Sequence, residues 1–208
     1  MVNFPFLKYQ PTKIIAVGLN YHDHARELGL PIPSEPIIFM KPVSSLIGPD
    51  QEIILPAMSG QVEYEAELAC VIADRIKDVD ERQALKHVAG YICLNDVTAR
   101  DLQRKDGQWT RAKSFDTFCP IGPQLVGGIN PDGLDIELRL NGQTRQKSNT
   151  GNLIFKMERL ISFISKVMTL FPGDIISTGT PAGVGPMKSG DVVEVEIERI
   201  GVLKNRVL

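Results

Sequence analysis

The segment VEYEAELACVIA, residues 62–73, constrains the fold of this chain more than any other. In its first half apolar and acidic residues alternate, and a strand with this pattern carries Glu63, Glu65 and Glu67 on one face. The second half is apolar without interruption, which is typical of a strand buried on both faces. Carboxylates are rarely buried unless a cation or a metal ion pairs with them. The segment therefore predicts a strand that brings Glu65 and Glu67 next to a positive charge.

The same glutamate spacing recurs near the C-terminus in VEVEIE, residues 193–198. There the alternation is unbroken and no apolar run follows, so the pattern predicts a half-buried strand with a solvated acidic face. Two glutamates at this spacing are therefore not specific for a metal site. A structural or binding protein with a solvated acidic strand at 62–68 is the alternative that the residues leave open.

Length, charge and cysteine content bound the class of protein. The 208 residues fit a single domain over 1–208, with 1–12 as an N-terminal extension. A formal net charge of −2, without a basic run that includes aromatic residues, argues against a nucleic-acid partner. The chain shows neither a signal peptide nor an apolar stretch of ~18 residues, which predicts a cytoplasmic protein without a membrane partner. Of the three cysteines, Cys70, Cys93 and Cys119, the first two lie in apolar strand-like runs, and there we expect buried, reduced thiols.

Local patterns predict many short strands and few helices. Apolar runs predict strands at 13–17, 37–40, 52–55 and 91–94. Helical spacing predicts helices at 20–28, 81–89, 99–105 and 153–168, with Asp80 as the cap of the second and Asn152 as the cap of the last. The dipeptide Asn141-Gly142 predicts a tight hairpin turn. This order favours a mixed, β-rich α+β fold in one domain over a doubly wound sheet.

Several segments carry polar residues at positions where a core segment would be apolar. Together with the glutamate strand, these segments resemble the catalytic domain of the fumarylacetoacetate hydrolase family. The matching segments are GLNYHDHARE (18–27), IIFMKP (37–42), GYICLNDVTARDLQ (90–103), RAKSFDTFCPIGP (111–123) and PGDIISTGTPAGVG (172–185). The resemblance runs from about residue 13 to the C-terminus and is closest to compact, single-domain members, the acylpyruvate hydrolases and the 2-hydroxyhepta-2,4-diene-1,7-dioate isomerases. It implies rolled mixed β-sheets with few short helices.

The resemblance implies a divalent-metal site formed by Glu65, Glu67 and Asp96. Three hard carboxylate oxygens suit Mg²⁺ or Mn²⁺ and leave coordination positions open for water and substrate. From the residues alone, Asp96 has the alternative interpretation of a turn residue. Glu63 stands where aspartate is common in the family, on the same strand face, and remains an alternative outer partner of the site.

The resemblance also implies the catalytic residues. His24 and Glu27 are three residues apart, hence on one face of a helical turn, and would form the dyad that activates water. Lys113 would be the cation that faces the developing enolate. Taken alone, His24 and Lys113 have the alternative of solvated surface side chains. The residues implied to bind substrate are Gln103, Gly179 and Thr180.

The function that follows from the resemblance is a metal-dependent hydrolase. It would cleave a C–C bond in small acylpyruvate-type 2-oxo acids, with water activated by the His–Glu dyad. The alternative that uses the same metal site is an isomerase of 2-hydroxy-dienedioates or a decarboxylase of oxaloacetate-like acids. A homodimer is expected by analogy with the family.

Overall fold

The structure, a computed structural model, describes residues 4–208, so residues 1–3 of the predicted N-terminal extension lie outside the described residues. Strands dominate this part of the chain, as the alternating and apolar runs predict. In chain order they are β1 (Ile14–Gly18), β2 (Ile37–Lys41), β3 (Leu46–Ile47), β4 (Glu52–Ile53), β5 (Val62–Tyr64), β6 (Ala66–Ile72), β7 (Val88–Asn95), β8 (Thr98–Ala99), β9 (Cys119–Val126), β10 (Asp135–Leu140), β11 (Gln143–Asn149), β12 (Ile175–Ser177), β13 (Gly185–Pro186), β14 (Val192–Ile197) and β15 (Gly201–Val207).

The helices are short. The α-helices are α1 (His22–Leu28), α2 (Arg100–Asp106), α3 (Thr110–Lys113) and α4 (Met157–Val167). Single turns of 3₁₀ helix are formed by Val43–Ser45 and Thr150–Asn152, and a longer 3₁₀ helix by Glu81–His87. No helix in residues 4–208 is both long and apolar enough to cross a membrane.

The strands form three sheets. The order is β2-β1-β12-β6-β7-β9-β3 in the seven-stranded sheet, β11-β10-β14-β15-β4 in the five-stranded sheet and β13-β5-β8 in the smallest. Most pairs are antiparallel, but β1 pairs parallel with β12, β3 with β9 and β15 with β4. The predicted mixed, β-rich fold with few short helices is confirmed.

Both faces of β6 are buried, which explains the uninterrupted apolar run in this strand. Leu68, Cys70 and Ile72 belong to the cluster that includes residues of the five-stranded sheet, such as Leu138 and Val195. The alternate residues of the same strand belong to a second cluster, which Phe4 and Leu7 of the N-terminal segment complete. The long strand next to the glutamates is therefore held rigidly from both sides.

Two local predictions are confirmed in detail. Asn141 and Gly142 connect β10 to β11 with φ values of 54° and 75°, as a two-residue hairpin turn requires. In β14 the apolar residues Val193, Val195 and Ile197 are buried and the glutamates are partly exposed, with Arg139 Nη1 2.6 Å from Glu196 Oε2. The acidic spacing at 193–198 thus belongs to an ordinary half-buried strand.

Two helices are shorter than predicted because their residues find partners in neighbouring elements. The helix expected over 81–89 starts after the predicted cap Asp80, but it is a 3₁₀ helix that ends at His87, since Val88 pairs with Ile72 as the first residue of β7. The helix expected over 153–168 covers only Met157–Val167. Leu153 forms a β-bridge with Tyr21 instead, so Asn152 does not cap the α-helix.

We expect the three buried thiols to resist alkylation until the protein unfolds. Cys70 and Cys93 are free and buried, as predicted, Cys119 is free and buried as well, and burial raises the pKa of each to about 12. The reactive thiolate is therefore scarce at pH 8. Iodoacetamide labelling, followed by mass spectrometry, should be slow in buffer and fast in urea. Fast labelling of any cysteine in the folded protein would contradict the described packing.

Candidate active site

The two glutamates that the sequence singled out do not lie on one continuous strand, which corrects the prediction for 62–68. The strand is interrupted at Glu65. Before it, β5 belongs to the three-stranded sheet, and after it, β6 belongs to the seven-stranded sheet. Asn95 Oδ1 accepts a hydrogen bond from the Glu65 amide at 2.9 Å, and the Asp96 amide donates to the Glu65 carbonyl at 2.9 Å. Because β6 pairs Ala66 with Asn95, this interruption places Asp96 beside the glutamates.

Glu65, Glu67 and Asp96 form a buried cluster of carboxylates. One oxygen from each lies within 4.8 Å of the others, and the three residues are at most 5% exposed. Two buried lysines neutralise part of their charge. Lys113 Nζ lies 2.8 Å from Glu65 Oε2 and 2.6 Å from Asp96 Oδ2, and Lys41 Nζ lies 2.6 Å from Asp96 Oδ1.

The pKa values of Glu65 and Glu67 move in opposite directions. Burial raises the pKa of Glu65, but Lys113 and Arg100 outweigh this effect and lower it to about 2. Burial also raises the pKa of Glu67, and the negative charges of Asp96 and Glu65 raise it further, well above its ordinary value. Glu67 forms no ion pair within residues 4–208; it accepts hydrogen bonds from the Ser177 hydroxyl and, at 3.0 Å, from the Gly179 amide.

The donor set fits a hard divalent cation. All three groups offer carboxylate oxygens, which Mg²⁺ and Mn²⁺ prefer, and soft ligands are absent from the cluster. One oxygen of each carboxylate lies within 4.8 Å of the others, so the three are near enough to ligate one ion together. A cation here would also relieve the repulsion that raises the pKa of Glu67. The cluster could therefore hold a metal ion.

His24 and Glu27 form a hydrogen-bonded pair on α1. His24 Nδ1 lies 2.9 Å from Glu27 Oε2, and the His24 residue is only 8% exposed, whereas its neighbour His22 is exposed. Glu27 also accepts a hydrogen bond from the Gly183 amide at 3.1 Å. A carboxylate on Nδ1 favours the tautomer in which Nε2 accepts a proton, so the geometry is suited to a general base.

A cavity of about 130 Å³ brings the predicted residues together. The predicted residues that line it are His24, Glu65, Glu67, Asp96, Gln103, Lys113 and Thr180. Glu27 acts behind His24, and Gly179 contributes its amide to Glu67 rather than a wall of the cavity. The cavity is smaller than the ~300–1,000 Å³ of sites for drug-sized ligands, which favours a small substrate.

Lys113 is buried rather than a surface side chain. It is 2% exposed, and its Nζ lies 5.1 Å from the centre of the Phe39 ring. Burial lowers the pKa of Lys113, but the charges of Asp96, Glu65 and Glu67 outweigh this and raise it above its ordinary value. The side chain is therefore a fixed positive charge at the edge of the cavity.

Arg100 is a further cation at the cavity that the analysis of single residues did not single out, although it lies within the segment 90–103. Its Nε lies 2.7 Å from Glu63 Oε2, and its Nη2 forms an ion pair with Glu65. Its Nη1 donates to Gln103 Oε1 at 2.6 Å. Glu63, the departure from the family pattern, thus acts as the partner of an arginine. Three glutamates at alternating positions of one segment could have indicated, from the sequence alone, that a second cation lies beside them.

Gln146 of β11 is a buried polar residue that the sequence did not reveal. Its Oε1 accepts from the Ala66 amide at 2.9 Å, and its Nε2 donates to Thr180 Oγ1 and to the Pro181 carbonyl, both at 2.8 Å. It therefore connects the backbone between Glu65 and Glu67 to the turn that carries Thr180. The segment QTRQKSN reads as an exposed strand, and only Gln146 of its first five residues is buried.

Replacing Gln146 with leucine is expected to lower both stability and activity. The change leaves the Ala66 amide and the Thr180 hydroxyl without a partner in a buried place, which costs ~1–3 kcal/mol of unfolding free energy. Urea unfolding and KM measurements on Gln146→Leu check this, with exposed Gln143→Leu in the same strand as control. If both variants match the wild-type protein, Gln146 does not position the site.

A comparison with known protein families identifies the family of this chain. The sequence pattern described as fumarylacetoacetate (FAA) hydrolase C-terminal matches residues 13–208. The chain belongs to the fumarylacetoacetate hydrolase family. The resemblance seen in the sequence is thereby confirmed, and with it the fold that it implied.

Relatives within the family are similar to this chain over nearly its whole length. An uncharacterized protein of Archaeoglobus fulgidus is 62% identical over 94% of this chain and 78% of its own length. Oxaloacetate tautomerase FAHD2A of Bos taurus, a mitochondrial protein, is 48% identical over 96% of this chain and 67% of its own length. The crystal structure of 5-carboxymethyl-2-hydroxymuconate delta-isomerase from Mycobacterium smegmatis is 49% identical and superposes with a TM-score of 0.90, over 95% of this chain and 79% of that one.

Proposed function

We propose that the protein catalyses metal-dependent proton transfer at the carbon next to the oxo group of short 2-oxo acids, as a tautomerase or isomerase. The observation that carries this proposal is the shared cavity. A buried histidine, held by a carboxylate, lines the same cavity of about 130 Å³ as the three carboxylates of a candidate metal site. Relatives at 48–49% identity are named as a tautomerase and an isomerase, which supports this class of reaction.

His24 is the proposed base. Its Nε2 takes a proton from C3 of the keto acid and delivers it to the C2 oxygen of the enolate, which gives the enol, and the reverse transfer restores the keto acid; Glu27 holds Nδ1 and stabilises the positive charge that the ring acquires in between. His24 is nearly buried, so its ring is sheltered from bulk water on the side of the cavity. The His24–Glu27 pair thus takes up one proton and releases it again, so the protein is unchanged at the end of the reaction.

Fixed charges next to the base favour an anionic substrate. Lys113 provides a positive charge where the oxygen of the oxo group becomes negative, and Gln103 and Thr180 offer hydrogen bonds to substrate oxygens. Mg²⁺ or Mn²⁺ bound by Glu65, Glu67 and Asp96 would supply Lewis-acid polarisation of the oxo group. These roles are part of the proposal.

Hydrolysis of an acylpyruvate, which the sequence favoured, is the second candidate. The specific observation in its favour is the same dyad, because a histidine bonded to a carboxylate also activates water. Hydrolysis requires a water molecule beside the substrate in one cavity of about 130 Å³. Proton transfer does not require this water, so we rank it first.

A panel of substrates separates the two candidates. With Mg²⁺ present, we expect faster ketonisation of enol oxaloacetate, and much slower cleavage of acetylpyruvate to acetate and pyruvate. Rapid acetate formation would make hydrolysis the function. No change in any of these rates would contradict both candidates; the alternative of a solvated acidic strand at 62–68 is already ruled out, because Glu63, Glu65 and Glu67 are buried. The predicted homodimer stays a prediction, which sedimentation of the purified protein can test.

A further inference from the structure

The candidate active site shares a wall with a larger groove. The groove has a volume of about 830 Å³ and runs along β2 and the residues before α3. Phe39 and Trp109 line both the groove and the 130 Å³ cavity. Their rings meet edge to face, with centroids 5.0 Å apart and planes at 79°. The aromatic pair is therefore the partition between the two spaces.

Each ring of the partition is held by a contact of its own. The Phe39 ring lies against Lys113 Nζ at 5.1 Å, so its position is tied to the charged cluster. The Trp109 ring lies on Gly18 at the end of β1, where a Cβ atom would overlap with the ring carbons Cζ3 and Cη2. Only glycine at position 18 leaves room for Trp109 in its present place.

The two sides of the partition differ in chemistry. The cavity presents Glu65, Asp96 and Lys113, which suit a small acid with polar groups at both ends. The groove presents Ile37 and Met40, each 46% exposed, beyond the aromatic rings. An apolar substituent that extends from the cavity toward β2 would enter the groove, and the rings of Phe39 and Trp109 block that path.

We infer that the Trp109–Phe39 pair determines substrate length, admitting short 2-oxo acids and excluding those with an apolar tail. The inference rests on the proposed function and adds the substrate class to it. Trp109 is the ring to vary, because Phe39 also contacts Lys113. Removing Trp109 joins the cavity to the groove and leaves the carboxylates, His24 and Lys113 in place.

The test compares oxaloacetate with 2-oxooctanoate in the Mg²⁺-supplemented protein. Exchange of the C3 protons with D₂O, followed by NMR, gives kcat/KM for both acids. Trp109→Ala is expected to raise the ratio of kcat/KM for 2-oxooctanoate to that for oxaloacetate ~10- to 100-fold, the range for small changes in pocket size. Gly18→Ala should raise the ratio in the same direction by displacing the ring. The control Met40→Ala, which changes only the groove, should leave the ratio unchanged.

Calorimetry of 2-oxooctanoate binding to the same variants keeps this test separate from the proposed function. If the wild-type protein exchanges neither acid but Trp109→Ala binds 2-oxooctanoate at least 10-fold more tightly, the proposed function fails and the partition stands. If the wild-type protein acts on oxaloacetate and neither Trp109→Ala nor Gly18→Ala changes the ratio, the partition is wrong. Failure of every variant to bind or exchange either acid overturns both.

Discussion

Replacing Glu67 with glutamine is expected to abolish Mg²⁺-dependent activity while leaving the metal-free protein at least as stable as the wild type. The glutamine oxygen can still accept hydrogen bonds from Ser177 and Gly179, so the local packing is retained. One of three anionic oxygens is lost, however, and metal catalysis is worth several kcal/mol. Because ~1.4 kcal/mol corresponds to a tenfold change in rate, we expect a loss of ~1,000-fold or more.

The stability of the metal-free Glu67→Gln protein has an expected dependence on pH. In the folded wild type the pKa of Glu67 is raised, first by burial and then by Asp96 and Glu65. A raised pKa makes the contribution of Glu67 to stability greatest below the ordinary value of 4.5, and this contribution is lost as pH rises above it. The Glu67→Gln protein has no carboxyl group at this position, so it does not lose this stability as pH rises. Its melting temperature in EDTA should therefore exceed that of the wild type increasingly as pH rises above 4.5.

Thermal melting with and without Mg²⁺, together with the rate assay, tests both parts of this prediction. The matched control is Glu196→Gln, which changes a partly exposed glutamate of β14 that pairs with Arg139 and lies outside the candidate site. The control should keep wild-type activity and wild-type stabilisation by Mg²⁺. Retention of both properties by Glu67→Gln would rule out the three-carboxylate site.

Replacing His24 with alanine is expected to reduce proton transfer ~100- to 10,000-fold, the usual contribution of a general base. Stabilisation by Mg²⁺ should persist, because His24 is not one of the three clustered carboxylates. Glu27→Gln should reduce the rate less, since the ring remains while its orientation and charge support weaken. The measurements are the ketonisation rate and the melting temperature with Mg²⁺.

His22→Ala is the matched control for this prediction, because the two histidines lie on the same helix and only His22 is exposed. We expect the control to keep the wild-type rate. Equal losses in the two variants would indicate that α1 is merely destabilised. A wild-type rate in His24→Ala would remove the histidine from the mechanism.

The glutamate strand illustrates how far sequence periodicity reaches. It predicted that carboxylates would be buried beside cations, and Glu65 is indeed paired with Lys113 and Arg100. It did not predict the interruption at Glu65, because this depends on the Asn95 side chain, which bonds to the Glu65 amide from a neighbouring strand. Contacts between residues distant in sequence have no signature in a local pattern.

Other features were accessible only through the resemblance or not at all. Lys113, within Ala-Lys-Ser-Phe, has the local pattern of a surface lysine, and its burial follows from the way α3 lies against the carboxylates. The start of α4 was predicted four residues too early, since Leu153 pairs with Tyr21 rather than continuing a helix. Gln146 has neither motif nor periodicity, because it is buried by a strand of another sheet.

The most direct test of the account is the ketonisation rate of enol oxaloacetate at increasing concentrations of the wild-type protein. We expect the rate to rise in proportion to the protein, to fall to the background in EDTA and to return when Mg²⁺ is added in excess. In Glu67→Gln and in His24→Ala the rate should stay near the background with Mg²⁺ present. A rate that does not depend on the protein, or one that survives both substitutions, would contradict the assignment of proton transfer to this site.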